Sequence, residues 1–306
     1  MEPTVDLRGV RRCYKDVVAV DCLDLQLYPG RVYGLLGPNG SGKSTTLKMA
    51  LGLSSPDAGT VSLFGGPPDV SRRQRVGLVP EQRSLPDRDR VAELIRLMLR
   101  LRGFSGAEVG KRANHWIERM ELGELRYRRV GQLSKGQAQK VQIAISLAHD
   151  PDLLVLDEPF TGLDPRHQSM ISDVFQEAAD RGATVVLSTH RLREAQALID
   201  GVVMMSLGHK VLEGTLSELR LAHGTGRYRV LVQGDTAWMQ GDDIADITRD
   251  RGEYVLHLKE GADPNALLRR ALDSDTRLVK FEQVLPTLSD LFEAHTLSRL
   301  KSGVAS

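Results

Sequence analysis

An α/β fold with a parallel central sheet, a helical insertion and a small C-terminal α+β appendage is predicted by three observations. "DLLVLDEP" places four consecutive apolar residues in a row, the pattern of a strand covered on both faces. "RVYGLLG" is a second short buried strand that runs directly into the glycine-rich "GPNGSGKST". Beyond Leu221 the alternation returns in a different key, with short half-buried strands and one well-capped helix.

Taken in order, "TVDLRGV" and "VVAVDCLDLQL" alternate as two antiparallel strands, and "RVYGLLG" leads into the glycine loop. "KSTTLKMALGL" has helical spacing and stops at the turn cluster "SSPDAG". "TVSLFG" and "RVGLVP" read as further strands. From about 85 to 150 the pattern is helical, with Leu94, Ile95, Leu97, Met98 and Leu101 on one stripe and Trp116, Ile117 and Met120 on another. After "DLLVLDEP", a helix over 166–181 and the strand "ATVVLSTH" complete a strand, helix, strand unit. "GVVMMSLGHKVLEG" reads as a hairpin turning at Leu207 to His209. The glycine-bearing "AHGTGR" is a linker, so the domains are read as 1–221 and 222–306. In the second, "RYRVLV", "GEYVLHLKE" and "RLVKFEQV" are strands, "DPNALLRRAL" is a helix capped by Asp263 with Pro264 at its first position, and "TLSDLFEAHTL" is a last amphipathic helix capped by Thr287.

Composition narrows the function. The 306 residues are 41% hydrophobic, enough for a full core, and 41 basic against 40 acidic residues leave a net charge of +1. Nothing there marks the whole surface as a nucleic-acid binder. Cys13 and Cys22 lack metal-ligand spacing and the density of a disulfide scaffold, which fits a reducing compartment, and both read as small buried residues. The start of the chain has no basic segment followed by an apolar run, and no stretch is long enough to cross a bilayer. The expectation is a soluble chain whose membrane role, if any, comes through a partner.

The chemistry is concentrated in two motifs. Gly37 to Ser44 match G-x-x-x-x-G-K-[ST], after a strand and before a helix. Backbone N–H groups that curl around phosphate oxygens need glycine, since a side chain blocks the approach and positive φ is costly elsewhere. Lys43 supplies a point charge for β and γ phosphates, Ser44 a hydroxyl for Mg²⁺, and the helix N-terminus its partial positive charge. In "LLVLDEP", Asp157 and Glu158 stand at the C-terminal end of a buried strand, where ligands of open α/β sheets bind. Asp157 is placed to hold Mg²⁺, and Glu158 to polarise the water that attacks the γ-phosphate. A surface turn after a core strand is the plainer reading, and the glycine loop counts against it.

With these motifs the chain resembles the nucleotide-binding subunits of ABC transporters over about residues 4 to 220. Such proteins carry a signature, usually Leu-Ser-Gly-Gly-Gln, between the two nucleotide motifs, and "LSKGQ", Leu133 to Gln137, lies there. Ser134 is a good N-cap that leaves amides free for an anion, and Gly136 permits close approach. The resemblance implies that this helix closes over ATP held by a second subunit, so that two ATP molecules are buried between subunits arranged head to tail. It assigns ATP contacts to Tyr14, to Gly37, Pro38, Asn39, Gly40, Ser41, Gly42, Lys43, Ser44 and Thr45, to Ser134, Lys135, Gly136 and Gln137, and to Asp164 in "TGLDP". His190 in "LSTH" matches the histidine that contacts the γ-phosphate. Tyr14 is read as the aromatic that stacks on adenine, or as a plain core aromatic.

Two positions depart from the family pattern. Where many members have a glutamine that senses Mg²⁺, "VPEQ" puts Glu81 in register and Gln82 one beyond, and either is a candidate for the metal. Lys135 stands in place of a signature glycine, either as a solvated cation or as one near phosphate.

The resemblance implies an ATPase that dimerises on ATP, as a homodimer, and drives a separate membrane permease at the cytoplasmic face, for export or membrane-associated assembly. The stretch from Arg83 to Arg102 is the expected docking surface for that permease. Two other classes fit the sequence less well. A soluble ABC ATPase acting on nucleic acid or ribosomes predicts paired nucleotide domains, long coiled coils or a basic surface, none of which this sequence has. A regulatory module that binds ATP without turnover conflicts with intact Lys43, Asp157, Glu158 and His190.

Overall fold

The computed structural model describes residues 1–82, 85–224, 226–250 and 252–294, with backbone only at 193 and 194. Residues 83 and 84 of the arginine-rich stretch, residue 225 of the linker and 295–297 of the last helix therefore lie outside the described residues. In chain order the elements are β1 (Val5–Tyr14), β2 (Val17–Leu27), β3 (Val32–Leu36), α1 (Lys43–Ala50), β4 (Ala58–Leu63), α2 (Val70–Gln74), β5 (Val76–Val79), α3 (Val91–Leu101), α4 (Gly106–Arg119), α5 (Lys135–Leu147), β6 (Leu153–Asp157), α6 (Pro165–Asp180), β7 (Thr184–Thr189), α7 (Leu192–Ala195), β8 (Gly201–Ser206), β9 (His209–Thr215) and α8 (Leu216–Ala222). They are followed by β10 (Arg227–Gly234), β11 (Ile244–Asp250), β12 (Glu253–Leu258), α9 (Pro264–Leu272) and β13 (Thr276–Gln283). The chain divides into two compact units between Leu216 and Ser217, at the start of α8 and a few residues before the glycine-bearing linker.

In the first unit a six-stranded sheet runs β5-β6-β7-β3-β8-β9, parallel except for β9. Its strands are the apolar runs of the sequence; every residue of β3, β7 and β8 is buried. The hairpin β8–β9 turns through Leu207 and Gly208, both at positive φ (48° and 80°), the backbone that a two-residue turn needs to match strand twist. A three-stranded antiparallel sheet, β2-β1-β4, packs its apolar face into the same core as α1, β6 and β8. Cys22, expected to be buried, is exposed: β1 and β2 lose simple register beside it, and its φ of 45° turns it outward.

The helical insertion comprises α3, α4 and α5. Trp116, Ile117 and Met120 are buried as expected, but the α3 stripe is corrected. Its buried side chains are Val91, Ala92, Leu94, Ile95 and Leu99, whereas Leu97 and Leu101 are 42% and 68% exposed. Arg102 is not a free surface cation, because it donates to the carbonyls of Arg73 and Gln74.

The second unit is a four-stranded antiparallel sheet, β11-β12-β10-β13. One face is closed by α9 through Leu267 and Ala271, which meet Tyr228, Val230, Trp238 and Leu256. Asp263 caps α9 as expected, accepting from Asn265 N at 2.9 Å. Thr287 caps the helical turn at 288–294 by exchanging bonds with Asp290. Strand β11 has no counterpart in the sequence reading. Among the described residues no helix is long and apolar enough to cross a membrane.

Candidate functional site

Strand order brings the two chemical motifs together. β3 and β6 flank β7, so all three C-terminal ends open on one edge: β3 releases the glycine loop, β6 ends in Asp157, and β7 ends in Thr189 with His190 next. The loop is tightly wound. Gly37 and Gly42 have φ of 148° and 102°, and a Cβ on them would stand 2.2 Å from the Met205 carbonyl oxygen and 2.4 Å from that of Ala19. No other residue fits either place.

Lys43, Ser44 and Asp157 meet at the mouth of this loop. The buried Lys43 ammonium folds back to donate to the carbonyls of Gly37 (2.9 Å) and Pro38 (3.0 Å). Burial lowers its pKa, while the charges of Glu158, Asp157 and Glu81 act in the opposite sense. Ser44 Oγ donates to Asp157 Oδ2 at 3.1 Å. That pair is an all-oxygen donor set for a hard cation, and among the described residues no group of three His, Cys, Asp or Glu side chains is arranged to hold a metal ion. Such a site fits Mg²⁺, which takes one or two protein oxygens and completes its shell with water and phosphate. Ser41 Oγ is buried without a hydrogen-bond partner, an unsatisfied group inside the phosphate loop itself.

Glu158 is held by β7. Its Oε2 accepts from Thr189 Oγ1 at 2.9 Å, and its Oε1 accepts from His190 N at 2.9 Å and lies 2.7 Å from His190 Nδ1. Thr189 was not singled out from the sequence, although it directly precedes His190. Glu81 and Gln82 follow β5 and Pro80, both exposed, with Glu81 close enough for its charge to act on Lys43.

Tyr14, at the end of β1, is 44% exposed, so it is not a core aromatic. Arg12 lies over one face of its ring, 5.0 Å from the centroid. Hydrogen bonds from Ser54, Arg12 and Thr45 lower its phenol pKa, which places the ring beside the first turn of α1.

Ser134 to Gln137 lie at the start of α5. Ser134 caps α5 in a capping box: its Oγ accepts from Gln137 N (3.2 Å) and Gln137 Oε1 accepts from Ser134 N (3.0 Å). The amides of Lys135 and Gly136 stay free of that box. The first turn of α5 borders a groove of about 580 Å³ shared with Gly162, Leu163 and Asp164, and no residue of the glycine loop lines it. Asp164 caps α6, accepting from His167 N (3.0 Å) with His167 Nδ1 at 2.7 Å, and these bonds hold its pKa low. Of the candidate residues, then, one set converges at the sheet edge and another at this groove.

A buried sheet, a phosphate loop and a carboxylate pair at the strand ends define a nucleotide-hydrolysing α/β protein. Residues 20–161 match the family described as ABC transporter, and residues 214–296 match the family described as ATP-binding protein DrrA1-3-like, C-terminal domain. The chain is 40% identical over 261 residues to Nod factor export ATP-binding protein I of Cupriavidus metallidurans, covering 83% of this chain and 86% of that one. It is 35% identical over 278 residues to daunorubicin/doxorubicin resistance ATP-binding protein DrrA of Streptomyces peucetius, covering 89% and 82%. A solved "ATP binding subunit of ABC transporter" superposes with a TM-score of 0.68 at 29% identity over 72% of this chain and 92% of that one. The dimeric MJ0796 cassette, a bacterial ABC transporter cassette, gives 0.63 at 27% identity over 69% and 98%. The chain belongs to the ATP-binding proteins of ABC transporters. It is the ATP-hydrolysing subunit of such a transporter, a class that works with a membrane permease and dimerises.

Proposed function

We propose that two copies of this chain join head to tail around two ATP molecules, at the cytoplasmic face of the membrane, and drive an exporting permease carried on another chain. The separation of the two half-sites within one chain carries this reading. Lys43, Ser44, Asp157, Glu158 and His190 are grouped at the sheet edge, while Ser134 to Gln137 border a groove with Asp164 that no glycine-loop residue lines. A second copy supplies what each half lacks. Relatives named for Nod factor export and for daunorubicin/doxorubicin resistance support export as the direction of transport.

In each site the loop amides and Lys43 hold the phosphates, Tyr14 stacks on adenine, and Ser44 and Asp157 hold Mg²⁺ with Glu81 or Gln82 at its rim. Mg²⁺, when bound, neutralises charge on the β and γ phosphates. Glu158 is the base that orients the attacking water. Its Oε1 accepts from His190 N and lies 2.7 Å from His190 Nδ1, and turning the imidazole toward the γ-phosphate would open that oxygen to a water proton. The partner copy closes the site with its Ser134 hydroxyl and the Lys135 and Gly136 amides, contacts that ADP cannot use, which ties closure to the intact triphosphate. The exposed face of α3, with Leu97, Arg100 and Leu101, is the proposed docking surface for the permease.

The test is Glu158→Gln. Turnover should fall by about a hundredfold or more, and ATP should hold the full-length chain as a dimer in size-exclusion chromatography. Hydrolysis at the wild-type rate would remove Glu158 from this role.

A further inference from the structure

The second turn of α5 carries two polar side chains that the nucleotide chemistry does not use, Gln139 and Lys140. Both face the loop that leads from Glu158 to Asp164. Gln139 Nε2 donates to the Pro159 carbonyl at 3.0 Å. Lys140 is only 5% exposed. Helix side chains lean toward the N-terminus, so Lys140 lies over the turn that contains Gly136. There it lines the same groove as Gly162 and Asp164. The backbones touch as well: a Cβ on Gly136 would stand 2.7 Å from the Gly162 carbonyl oxygen.

The charges around Lys140 form a closed set. Among the described residues no hydrogen bond or ion pair reaches its ammonium, and what offsets its burial is the field of Glu121 and Asp164, opposed by Arg166. Those groups are joined to one another. Glu121 accepts from Arg166 Nη2 at 2.9 Å and lies 3.5 Å from His167 Nε2, and the same imidazole holds Asp164. Lys140 lines the groove beside Asp164, so its charge responds to where those carboxylates stand. Moving Asp164 therefore changes the energy of Lys140, and moving α5 changes the energy of Asp164.

Glu158 begins this loop, which is wound into consecutive turns. Thr161 N donates to the Glu158 carbonyl and Leu163 N to the Phe160 carbonyl, each at 3.2 Å, so consecutive turns connect the base to Asp164. We infer that Gln139 and Lys140 are positioning residues that fix the Glu158 loop to the signature helix, so that an anion engaging the start of α5 sets the position of the base in the same chain. The inference rests on the shared-site reading above. It couples the two ATP sites of a pair through the body of each subunit, in addition to the contacts across the interface.

The test uses the full-length chain with Lys140→Met, Gln139→Leu and Lys140→Arg. Glu121 and Asp164 are exposed, so removing the lysine leaves no carboxylate buried without a partner, and Met keeps the length of the side chain, so the Met variant keeps the experiment readable. Combined with Glu158→Gln, Lys140→Met and Gln139→Leu should still give the ATP-dependent dimer, with half-saturating ATP within about twofold of Glu158→Gln alone. With Glu158 intact, they should lower kcat by about tenfold at nearly unchanged KM, and Lys140→Arg should return kcat to within about threefold of wild type. Wild-type kcat in both variants would overturn the inference. So would a fall in kcat accompanied by loss of dimerisation, which is what damage to the signature helix produces. If Glu158→Gln alone forms no ATP-dependent dimer, the shared-site reading fails first and the inference falls with it.

Discussion

Glu158 holds a backbone conformation, φ 49°, that a non-glycine residue enters at a cost of about 1 kcal/mol. Its amide is anchored to the Ser188 carbonyl at 2.8 Å and its carboxylate to Thr189 and His190, so several bonds offset one strained residue. His149, far from this chemistry, makes a prediction about pH. Its Nε2 is 3.2 Å from the Val76 carbonyl, and burial, then the charge of Arg102, lower its pKa from 6.5 to about 4. The folded imidazole stays neutral while the unfolded one takes up a proton from about 6.5 downward, so this contribution is complete above that pH. It is lost as pH falls toward 4, by about 2 kcal/mol once partial exposure is allowed for. His149→Gln should flatten the urea midpoint between pH 6.5 and 4, and an unaltered slope would rule His149 out as its source. The glycine loop and the Asp157–Glu158 pair were legible in the sequence because their chemistry depends on local spacing. Thr189, Gln139, Lys140 and His149 were not, since what each does depends on a strand or helix distant in sequence.

The start of α5 has two separable jobs, capping its own helix and offering amides to an anion, and substitution at Ser134 can divide them. Ser134→Ala removes the cap and should cost about 1 kcal/mol of stability. Ser134→Asp keeps a capping oxygen but puts a carboxylate where the proposed phosphate would lie. Denaturant titration should find the Asp variant near wild type, while ATP-driven dimerisation is lost and nucleotide binding by the monomer is kept. Dimerisation by the Asp variant at the wild-type ATP concentration would argue that no phosphate approaches this turn. Elements with one clear apolar period were readable from sequence; α3 and β11 were not. In α3 the apolar side chains at 94, 95, 97, 98, 99 and 101 spread over more than half of the helix circumference, an arc wider than the face that packs against α4 and α5, so Leu97 and Leu101 at its margin stay outside. β11 has the opposite difficulty. It pairs only with β12, nearly all its residues are exposed, and an edge strand of that kind leaves no burial pattern to read.

Each of the two units has an apolar core of its own, one built on Leu7, Leu35 and Val155 and the other on Val230, Leu256 and Leu267. The sequence announced the second unit through its change of pattern, but the linker glycines drew the boundary later than Leu216, because a short helix precedes them. Separate cores predict separate unfolding, and two perturbations of the full chain can address them one at a time. A ligand that binds only the native state raises stability in proportion to the logarithm of its saturation, so saturating ATP should raise the transition of the first unit alone. Asp263→Ala removes the α9 cap, at about 1 kcal/mol, which for a unit of this size lowers its midpoint by roughly 4–8 °C. Calorimetry on the chain with both perturbations should show the two transitions moving apart or together according to which lies higher, each shifted by its own perturbation only. A single transition that ATP raises and Asp263→Ala lowers would instead mean that the two cores unfold as one cooperative body, and the appendage would then contribute to the stability of the nucleotide site itself.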